Sequence, residues 1–228
     1  MTGFGVRGGT PLRWSLVVPV KHLGRAKSRL ARAAGGMRED LALAIACDTV
    51  EAALACPGVA AVFAVTEDPR AGADLTGLGA VVVGGEPGTG LNAALVHGAA
   101  AAGRRRPGTG VCALSADLPS LRPDELGRVL TAAARHGRSF LPDAPGVGTT
   151  LFASAPGHPF TPAFEGASRA RHRDGGAHEL ALSDVASVRR DVDTPEDLCD
   201  AVELGVGPRT RELWELVADG CLRPQSTP

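Results

Sequence analysis

The sequence predicts an α/β domain with a mainly parallel sheet that helices cover on both faces. Through the first half of the chain, hydrophobic runs of strand length alternate with Ala/Leu-rich stretches of helix length. Turn residues such as Pro57-Gly58 separate these runs. At 228 residues, the chain has the length of one domain and can bury a substantial core.

The predicted elements follow each other in a regular order. Strands are expected at 16–20, 59–65, 80–83 and 111–115, and helices at 39–55, 91–102 and from Pro123. From residue 139 the rhythm changes: strands at 139–142 and 149–153 flank a Gly-rich turn, and an irregular stretch covers 156–178. This break predicts a β-hairpin insertion that builds an acceptor site over the carboxyl edge of the sheet.

The last part of the chain returns to regular elements. A strand is expected at 185–192, followed by a helix with Thr194 as its N-cap and Pro195 at its first position. A final helix is expected at about 210–219. We therefore divide the chain into a disordered N-terminal extension (1–13), one domain (14–220) and a flexible tail (221–228).

Composition excludes several classes of protein. The net charge is −1, so binding of nucleic acid through bulk charge is not expected. The five cysteines form no CxxC pair, which argues against a zinc site or a disulfide framework. No apolar run approaches the roughly 20 residues of a membrane span, and residues 1–13 lack the hydrophobic stretch of a signal peptide. The expected location is the cytoplasm, without membrane attachment.

A cluster of four cations follows the first predicted strand: Lys21, Arg25, Lys27 and Arg29. A basic loop at the carboxyl end of a first strand lies where open α/β sheets bind anionic ligands. Neither a P-loop nor a dinucleotide fingerprint is present in the sequence. The loop therefore predicts a triphosphate site of another kind; the alternative is an ordinary solvated turn.

Three aspartates could hold a metal ion against such a triphosphate. Asp117 follows the fourth predicted strand, and Asp191 and Asp193 are two residues apart, which places both carboxylates on one side of an extended segment. Two like charges together are unfavourable unless a cation lies between them. The pattern predicts a Mg²⁺ site; the alternative is that Asp117 and Asp193 only cap turns or helices.

Two Gly- and hydroxyl-containing segments could bind an anion through backbone N–H groups. They are Gly146-Val-Gly-Thr-Thr150 and Phe164-Glu-Gly-Ala-Ser168. Such patterns are also common turns. His172 and His178 lack the spacing of metal ligands, so we interpret them as surface residues or as supports for the site.

The order of these motifs resembles the CofC/FbiD guanylyltransferases of coenzyme F-420 biosynthesis. The resemblance runs from about Trp14 to Gly207 and rests on the following segments: Val18-Pro-Val-Lys21, Ala26-Lys-Ser-Arg-Leu30, Leu91-Asn-Ala-Ala94, Ala116-Asp-Leu-Pro119, Gly148-Thr-Thr150, Ser168-Arg-Ala-Arg-His172 and Asp191-Val-Asp-Thr-Pro-Glu-Asp-Leu198. It implies the single-domain nucleotide-diphospho-sugar transferase (Rossmann-like) fold, Mg²⁺ dependence and GTP as donor. The implied acceptor is phosphoenolpyruvate or, as in archaeal members, 2-phospho-L-lactate.

The resemblance also assigns roles to residues. It places metal ligands at Asp117, Asp191 and Asp193, and acceptor contacts at Thr149 and Ser168. A third acceptor contact, a glycine in the family, falls on Glu165. The donor nucleotide is assigned to the four cations and Asn92, and Lys21, Lys27, Arg29 and Asp117 are the expected catalytic residues.

Three readings of function remain open at this point. The first is guanylyl transfer to phosphoenolpyruvate, 2-phospho-L-lactate or 3-phospho-D-glycerate, which all carry a carboxylate and a phosphate. The second is nucleotidyl transfer to a sugar phosphate or a molybdenum-cofactor precursor, although the Leu-Ala-Gly-Gly loop of the latter group is missing. The third is a non-catalytic nucleotide-binding protein. For a guanylyltransferase, lability of the product suggests a hand-off to the next enzyme.

Overall fold

The computed structural model describes residues 11–30 and 34–222, so what is predicted for residues 1–10 and 223–228 lies outside the described residues. Strands are β1 (Trp14–Pro19), β2 (Val59–Val65), β3 (Val81–Val83), β4 (Gly110–Leu114), β5 (Arg138–Pro142), β6 (Thr149–Ser154) and β7 (His178–Glu179). Helices are α1 (Arg38–Leu54), α2 (Pro69–Gly77), α3 (Leu91–Arg105), α4 (Pro123–Ala133), α5 (Ser168–Asp174), α6 (Ala186–Arg189), α7 (Pro195–Leu204) and α8 (Pro208–Leu222). None of these helices is long and apolar enough to cross a bilayer.

The strands form one sheet in the order β3-β2-β1-β4-β6-β5-β7. The first four are mutually parallel, whereas β6 runs antiparallel to β4 and β5 and so forms the predicted hairpin insertion. From β1 the chain adds β2 and then β3 on one side of β1. It then crosses to the other side of β1, where it adds β4, so the strand order reverses between β1 and β4. Ligands of open α/β sheets bind at such a switch point, beyond the carboxyl ends of the strands.

Successive side chains of β1 pack into different hydrophobic clusters, one on each face of the sheet. Leu16 and Val18 belong to a cluster that contains buried residues of α1 and α4, and Val17 packs on the opposite face with Phe63 and Leu95 of α3. Successive strand residues point to opposite faces, so a fully apolar run is expected of a strand that helices cover on both sides. The α/β class predicted from the sequence is confirmed.

The predicted strand at 185–192 is wrong. Residues 186–189 form the short helix α6, with Val185 and Val188 buried in the core at helical spacing and Ser187 bonded to the Glu125 carboxylate. The segment that follows is extended but joins no strand. The Val192 N–H donates to the Asp117 carbonyl oxygen (3.0 Å), and the Asp193 N–H donates to Asp197 Oδ2 (3.0 Å). Alternating apolar residues are consistent with a strand, but here Val185 and Val188 pack in the same core cluster as residues of α4, and the segment is helical.

A third hydrophobic cluster fixes this extended segment beside the sheet. Val192 is fully buried, and it packs with residues of α1 and α7 that include Ile45 and Leu198. The residues on either side of it, Asp191 and Asp193, remain open to solvent in part. Burial of Val192 therefore anchors two carboxylates beside the end of β4.

Besides α6, two helices were not expected from the sequence. The first, α2, begins at Pro69 and is capped by Asp68, whose Oδ1 accepts hydrogen bonds from the Arg70 and Ala71 N–H groups. The Asp-Pro pair is a recognisable helix start. The second, α5, lies within the stretch predicted to be irregular. By contrast, Thr194 caps α7 as predicted, in a capping box with Asp197.

Close packing of α3 on the sheet depends on Gly98. A methyl group at this position would lie 2.5 Å from Val17 Cγ1 and 2.6 Å from Val65 Cγ2, whereas Gly103 on the same helix has open space around it. We expect Gly98→Ala to lower the free energy of unfolding by about 1–2 kcal/mol, since overpacking outweighs the better helix propensity of alanine. The control Gly103→Ala should raise it by up to about 1 kcal/mol. Denaturant titration of both variants checks the prediction; equal shifts in one direction would contradict it.

Candidate functional site

A cavity of about 330 Å³ opens at the carboxyl ends of β1 and β4. All four predicted cations line it, together with two of the predicted carboxylates: Lys21, Arg25, Lys27, Arg29, Asp117 and Asp193. The basic loop forms two short 3-10 turns after β1. The structure therefore brings the cationic and acidic candidates together at the switch point of the sheet.

Lys27 occupies the centre of this site. Its ammonium lies 2.6 Å from Asp117 Oδ2 and 3.0 Å from Asp193 Oδ1, and its side chain is 12% exposed. Burial alone would lower the pKa of Lys27, but attraction and hydrogen bonds from Asp117 and Asp193 outweigh burial, so the pKa lies above its ordinary value. Lys27 is thus a permanent cation that joins the loop after β1 to two acidic segments.

The backbone of Lys27 is left-handed, with φ of 51°. For a residue with a side chain this conformation costs about 1–2 kcal/mol and persists only where the surroundings impose it. Arg38, at the start of α1, imposes it by donating hydrogen bonds to the carbonyl oxygens of Leu23 (3.0 Å), Gly24 (3.1 Å) and Ala26. Sequence reasoning missed Arg38, because a helix-start arginine gives no sign of the loop carbonyls it contacts.

Asp68 fixes the same loop from the other side. Its Oδ2 accepts a hydrogen bond from the Leu23 N–H (2.9 Å), while its Oδ1 caps α2. In the structure the Asp68 carboxylate is buried and satisfied by backbone donors, so it supports the loop.

The predicted metal ligands converge without forming a cage. Burial raises the pKa of Asp191 to about 7, with a further contribution from repulsion by Asp117 and smaller ones from Asp143 and Asp193. Such an excess of negative charge fits a hard cation with oxygen ligands such as Mg²⁺. Within residues 11–30 and 34–222, however, no three acidic, His or Cys side chains are grouped closely enough to hold a metal ion. The Lys27 ammonium lies between two of the three carboxylates instead.

The acceptor candidates lie next to this site. Ser115, at the end of β4, donates its N–H to the Thr150 carbonyl oxygen (2.9 Å), which places the start of β6 beside the segment leading to Asp117. Ser168 is buried at the start of α5, and its Oγ would lie 3.8 Å from a methyl group on Gly148. Thr149 and Ser168 therefore belong to one subsite that adjoins the carboxylates.

One of the predicted anion-binding loops is already occupied by the protein itself. Asp143 accepts hydrogen bonds from the N–H groups of Val147 (2.9 Å) and Gly148 (2.7 Å). These donors are therefore not free for an anionic ligand, which corrects the expectation for segment 146–150. The hydroxyl groups of Thr149 and Thr150 are the side-chain donors in this segment, and Thr150 Oγ1 is buried without a partner among the described residues.

Glu165 has the backbone of a glycine. Its φ is 82° and that of Gly166 is 56°, so two successive residues are left-handed. The Glu165 side chain is exposed, and Arg171 Nη1 donates to the carbonyl oxygens of Phe164 and Glu165 (3.3 Å each). The conformation explains why glycine is expected here. It also turns the carboxylate towards solvent.

Asn92 contacts the acceptor loop directly. Its Nδ2 donates to the Phe164 carbonyl oxygen (3.0 Å), and its Oδ1 accepts from the Phe164 N–H (2.8 Å). Phe164 and Leu91 line a small cavity of about 20 Å³ next to the main one. Since both polar atoms of Asn92 are engaged in holding Phe164, its assignment to the nucleotide stays a prediction.

His172 is not a surface residue, although His178 is exposed as expected. The His172 side chain is 2% exposed and packs against the rings of Phe140, Phe152 and Phe164. Of the two options that the sequence left open, surface residue or support for the site, burial and the bond to Thr149 favour the second for His172.

Curated relatives identify the family. The chain is 61% identical over 202 residues to a Thermomonospora curvata protein named phosphoenolpyruvate guanylyltransferase, covering 89% of each chain. A protein of that name from Streptomyces coelicolor is 62% identical over 200 residues, covering 87% of this chain and 94% of the relative. A Streptosporangium roseum protein of the same name is 57% identical over 211 residues, covering 92% and 95%. The chain matches no family model.

Solved structures agree on the fold. A Desulfovibrio desulfuricans structure described as a nucleotide-diphospho-sugar transferase has a TM-score of 0.65 at 16% identity, covering 90% of this chain and 97% of that one. A nucleotidyl transferase from Methanothermobacter has a TM-score of 0.53 at 18% identity, covering 86% and 98%. The predicted nucleotide-diphospho-sugar transferase fold is confirmed. Because its curated relatives are 57–62% identical and are matched over most of their length, the chain belongs to the phosphoenolpyruvate guanylyltransferase family. This is the CofC/FbiD group that its motifs resemble.

Proposed function

We propose that this protein transfers GMP from GTP to the phosphate of phosphoenolpyruvate in a Mg²⁺-dependent reaction that releases pyrophosphate. One observation carries the proposal: a four-cation loop meets Asp117 and Asp193 at the switch point, in a chain 61% identical to a named phosphoenolpyruvate guanylyltransferase. Asp191 is near enough for both carboxylates to raise its pKa. The cations suit the triphosphate, because ammonium and guanidinium groups form charge-assisted hydrogen bonds to phosphate oxygens. We assign Lys21, Arg25, Lys27 and Arg29 to this donor.

The acceptor fits the neighbouring subsite. Thr149 and Ser168 offer hydroxyl groups there, and the left-handed backbone at Glu165 brings a main-chain segment to the same place. Phosphoenolpyruvate carries a phosphate and a carboxylate, which hydroxyl and N–H donors can bind together. Because β4 and β6 are bonded at Ser115, the acceptor phosphate would lie beside Asp117 and the donor cavity.

The reaction needs positioning and charge neutralisation more than proton transfer. An oxygen of the acceptor phosphate attacks the α-phosphorus of GTP, and the bond to the β-phosphate oxygen breaks, so that pyrophosphate leaves with the bonding electrons. The attacking oxygen is already ionised at neutral pH, so no side chain has to remove a proton. Lys21, Lys27 and Arg29 would hold the triphosphate and stabilise the charge that develops on the leaving group.

Asp117, Asp191 and Asp193 are the residues that would hold Mg²⁺. When bound, the ion would neutralise charge on the reacting phosphates. Carboxylate oxygens are suitable ligands for Mg²⁺, but the Lys27 ammonium lies between the carboxylates of Asp117 and Asp193. We infer that Lys27 exchanges these carboxylates for a phosphate of GTP, which frees Asp117 and Asp193.

The wider setting is part of the proposal. Enolpyruvyl-diphospho-guanosine, the product, is a mixed diphosphate of an acid, and it would serve coenzyme F-420 biosynthesis. The cytoplasmic location and a hand-off to the next transferase stay predictions. The alternative acceptor is 2-phospho-L-lactate or 3-phospho-D-glycerate, since both share the carboxylate and the phosphate.

Pyrophosphate release tests the function. Parent protein is incubated with each nucleoside triphosphate and each of the three acids, with and without Mg²⁺. The expected result is release that requires GTP, phosphoenolpyruvate and the metal.

Asp117→Asn should lower the rate about 10²-fold or more, the scale for losing one preorganised electrostatic group. Asp184→Asn, an exposed aspartate paired with Arg128 outside the cavity, is the control. Activity of Asp117→Asn within threefold of the parent would remove Asp117 from the site.

Lys27 should matter for the donor and not for the acceptor. We expect Lys27→Ala to weaken GTP binding by about 1–3 kcal/mol, the contribution of a charge-assisted contact, and to leave phosphoenolpyruvate affinity unchanged. Arg128→Ala is a matched control, because Arg128 also contacts two aspartates, on the exposed face of α4. Calorimetric titration of each ligand measures the effect. A change in the acceptor titration alone would reverse the assignment of the two subsites.

Variants at Glu165 distinguish the effect of backbone strain on stability from an effect of the side chain on acceptor binding. Glu165→Gly should raise the free energy of unfolding by about 1 kcal/mol, because glycine adopts the left-handed conformation without steric cost. Glu165→Ala should give no such gain, since alanine retains the clash. For an exposed side chain, acceptor kcat/KM should stay within about threefold for all three acids. A drop above tenfold for one acid would instead make Glu165 a specificity residue.

A further inference from the structure

His172 is a buried histidine with a defined hydrogen-bonding pattern. It lies one helical turn after Ser168 on α5, and its ring stacks on Phe140 and Phe152 at centroid distances of 5.5 and 4.8 Å, with Phe164 edge-on at 5.1 Å. Both ring nitrogens have partners in the acceptor subsite. Nε2 lies 2.8 Å from the Ala163 nitrogen, and Nδ1 lies 3.1 Å from Thr149 Oγ1.

The partners fix the position of the ring proton. A backbone N–H can only donate, so the Ala163 N–H donates to Nε2, which must be the unprotonated nitrogen. In a neutral imidazole the proton is then on Nδ1, and Nδ1–H donates to Thr149 Oγ1. The Thr149 hydroxyl accepts this bond with one lone pair, so its own proton remains available for another acceptor.

Burial keeps the ring in this neutral form. Packing among the aromatic side chains lowers the pKa of His172 to about 4; the Ser168 backbone raises it and the Arg171 charge lowers it to smaller extents. The imidazole therefore carries no charge at neutral pH, and Nε2 keeps its lone pair for Ala163. A charged ring would lose the bond to Ala163.

We propose that His172 is a positioning residue for the acceptor: it orients the Thr149 hydroxyl proton towards the bound acid and holds the start of the Phe164–Ser168 loop through Ala163. This inference rests on the proposed function, since it concerns the acceptor that Thr149 and Ser168 bind. His172 touches neither substrate. It acts through one hydroxyl group and one backbone segment, so the acceptor KM should respond to it and the GTP KM should not.

Kinetics of a double-mutant cycle test the proposal. KM for phosphoenolpyruvate and for GTP is measured in the parent, His172→Phe, Thr149→Val, the double variant, and His172→Gln. Phenylalanine keeps a ring in the aromatic site but makes neither hydrogen bond. His172→Phe should raise the phosphoenolpyruvate KM about tenfold, the scale of one neutral hydrogen bond, with the GTP KM within about twofold of the parent. His158→Gln, an exposed histidine after the far end of β6, is the control.

The cycle distinguishes positioning from a general structural role. If His172 acts through Thr149, His172→Phe should cost much less in the Thr149→Val background than in the parent. His172→Gln, whose amide can both accept and donate, should recover part of the loss. Equal increases in both KM values, or additive effects in the double variant, would overturn the proposal. An inactive parent would instead reject the proposed function.

A spectroscopic measurement keeps the proposal testable even if His172→Phe does not fold. Nitrogen-15 NMR of the imidazole at neutral pH, assigned by the loss of signals in His172→Gln, reports which ring nitrogen carries the proton. The proposal requires a protonated Nδ1 and an unprotonated Nε2. The opposite tautomer, or a charged ring at neutral pH, would overturn it.

Discussion

The contact of the Lys27 ammonium with Asp117 and Asp193 determines how the rest of the site is arranged. It joins three segments that are far apart in the chain: the loop after β1, the end of β4 and the extended segment after α6. Without a cation between them, the two carboxylates would repel each other beside Asp191, whose pKa is already raised to about 7. A partly buried cation surrounded by acids is stable only because its charge is compensated at hydrogen-bond distance. The same charge balance makes Lys27 suited to exchange carboxylates for phosphate.

This contact requires a strained loop that other parts of the fold must support. Left-handed backbone at Lys27 costs about 1–2 kcal/mol, and Arg38 and Asp68 supply the hydrogen bonds that hold the loop in this form. Both supports come from the starts of helices that pack on the sheet. Strain is therefore placed on a residue that we propose binds the donor, and the rigid scaffold compensates for it, as is common at functional sites. Glu165 repeats the arrangement on the acceptor side, where Asn92 and Arg171 hold the strained segment.

Local sequence patterns were sufficient to predict most of the fold and to single out the four cations that line one cavity. Strand β2 and the cap at Thr194 match the prediction because buried runs and capping residues act within a few positions of the chain. The misses have a different cause. Residues 186–189 form a helix because Ser187 bonds to the Glu125 carboxylate and Val185 and Val188 pack in the core. The sequence left His172 open between the surface and a supporting role, and three aromatic rings, two of them on β5 and β6, decide for burial. Likewise, nothing near Asn92 in sequence indicates that its amide pairs with Phe164. Contacts between distant segments override local pattern, and positioning residues are recognised by such contacts.

Electrostatics also explains why the two subsites lie at one edge of the sheet. The site would have to bind a triphosphate and a phosphorylated acid, both anionic, next to Asp117, Asp143 and Asp191. At about 4 Å, each like-charge contact costs on the order of 1–4 kcal/mol, depending on access of water. Four cations from the loop after β1 would offset part of this repulsion, and the divalent ion of the proposed reaction would offset more. Neutral donors complete the acceptor side: the hydroxyl groups of Thr149 and Ser168 add no charge, and an uncharged His172 behind Thr149 leaves the balance unchanged. Charge compensation is thus concentrated where the phosphates would react, and neutral hydrogen bonds beside this place would orient the acceptor.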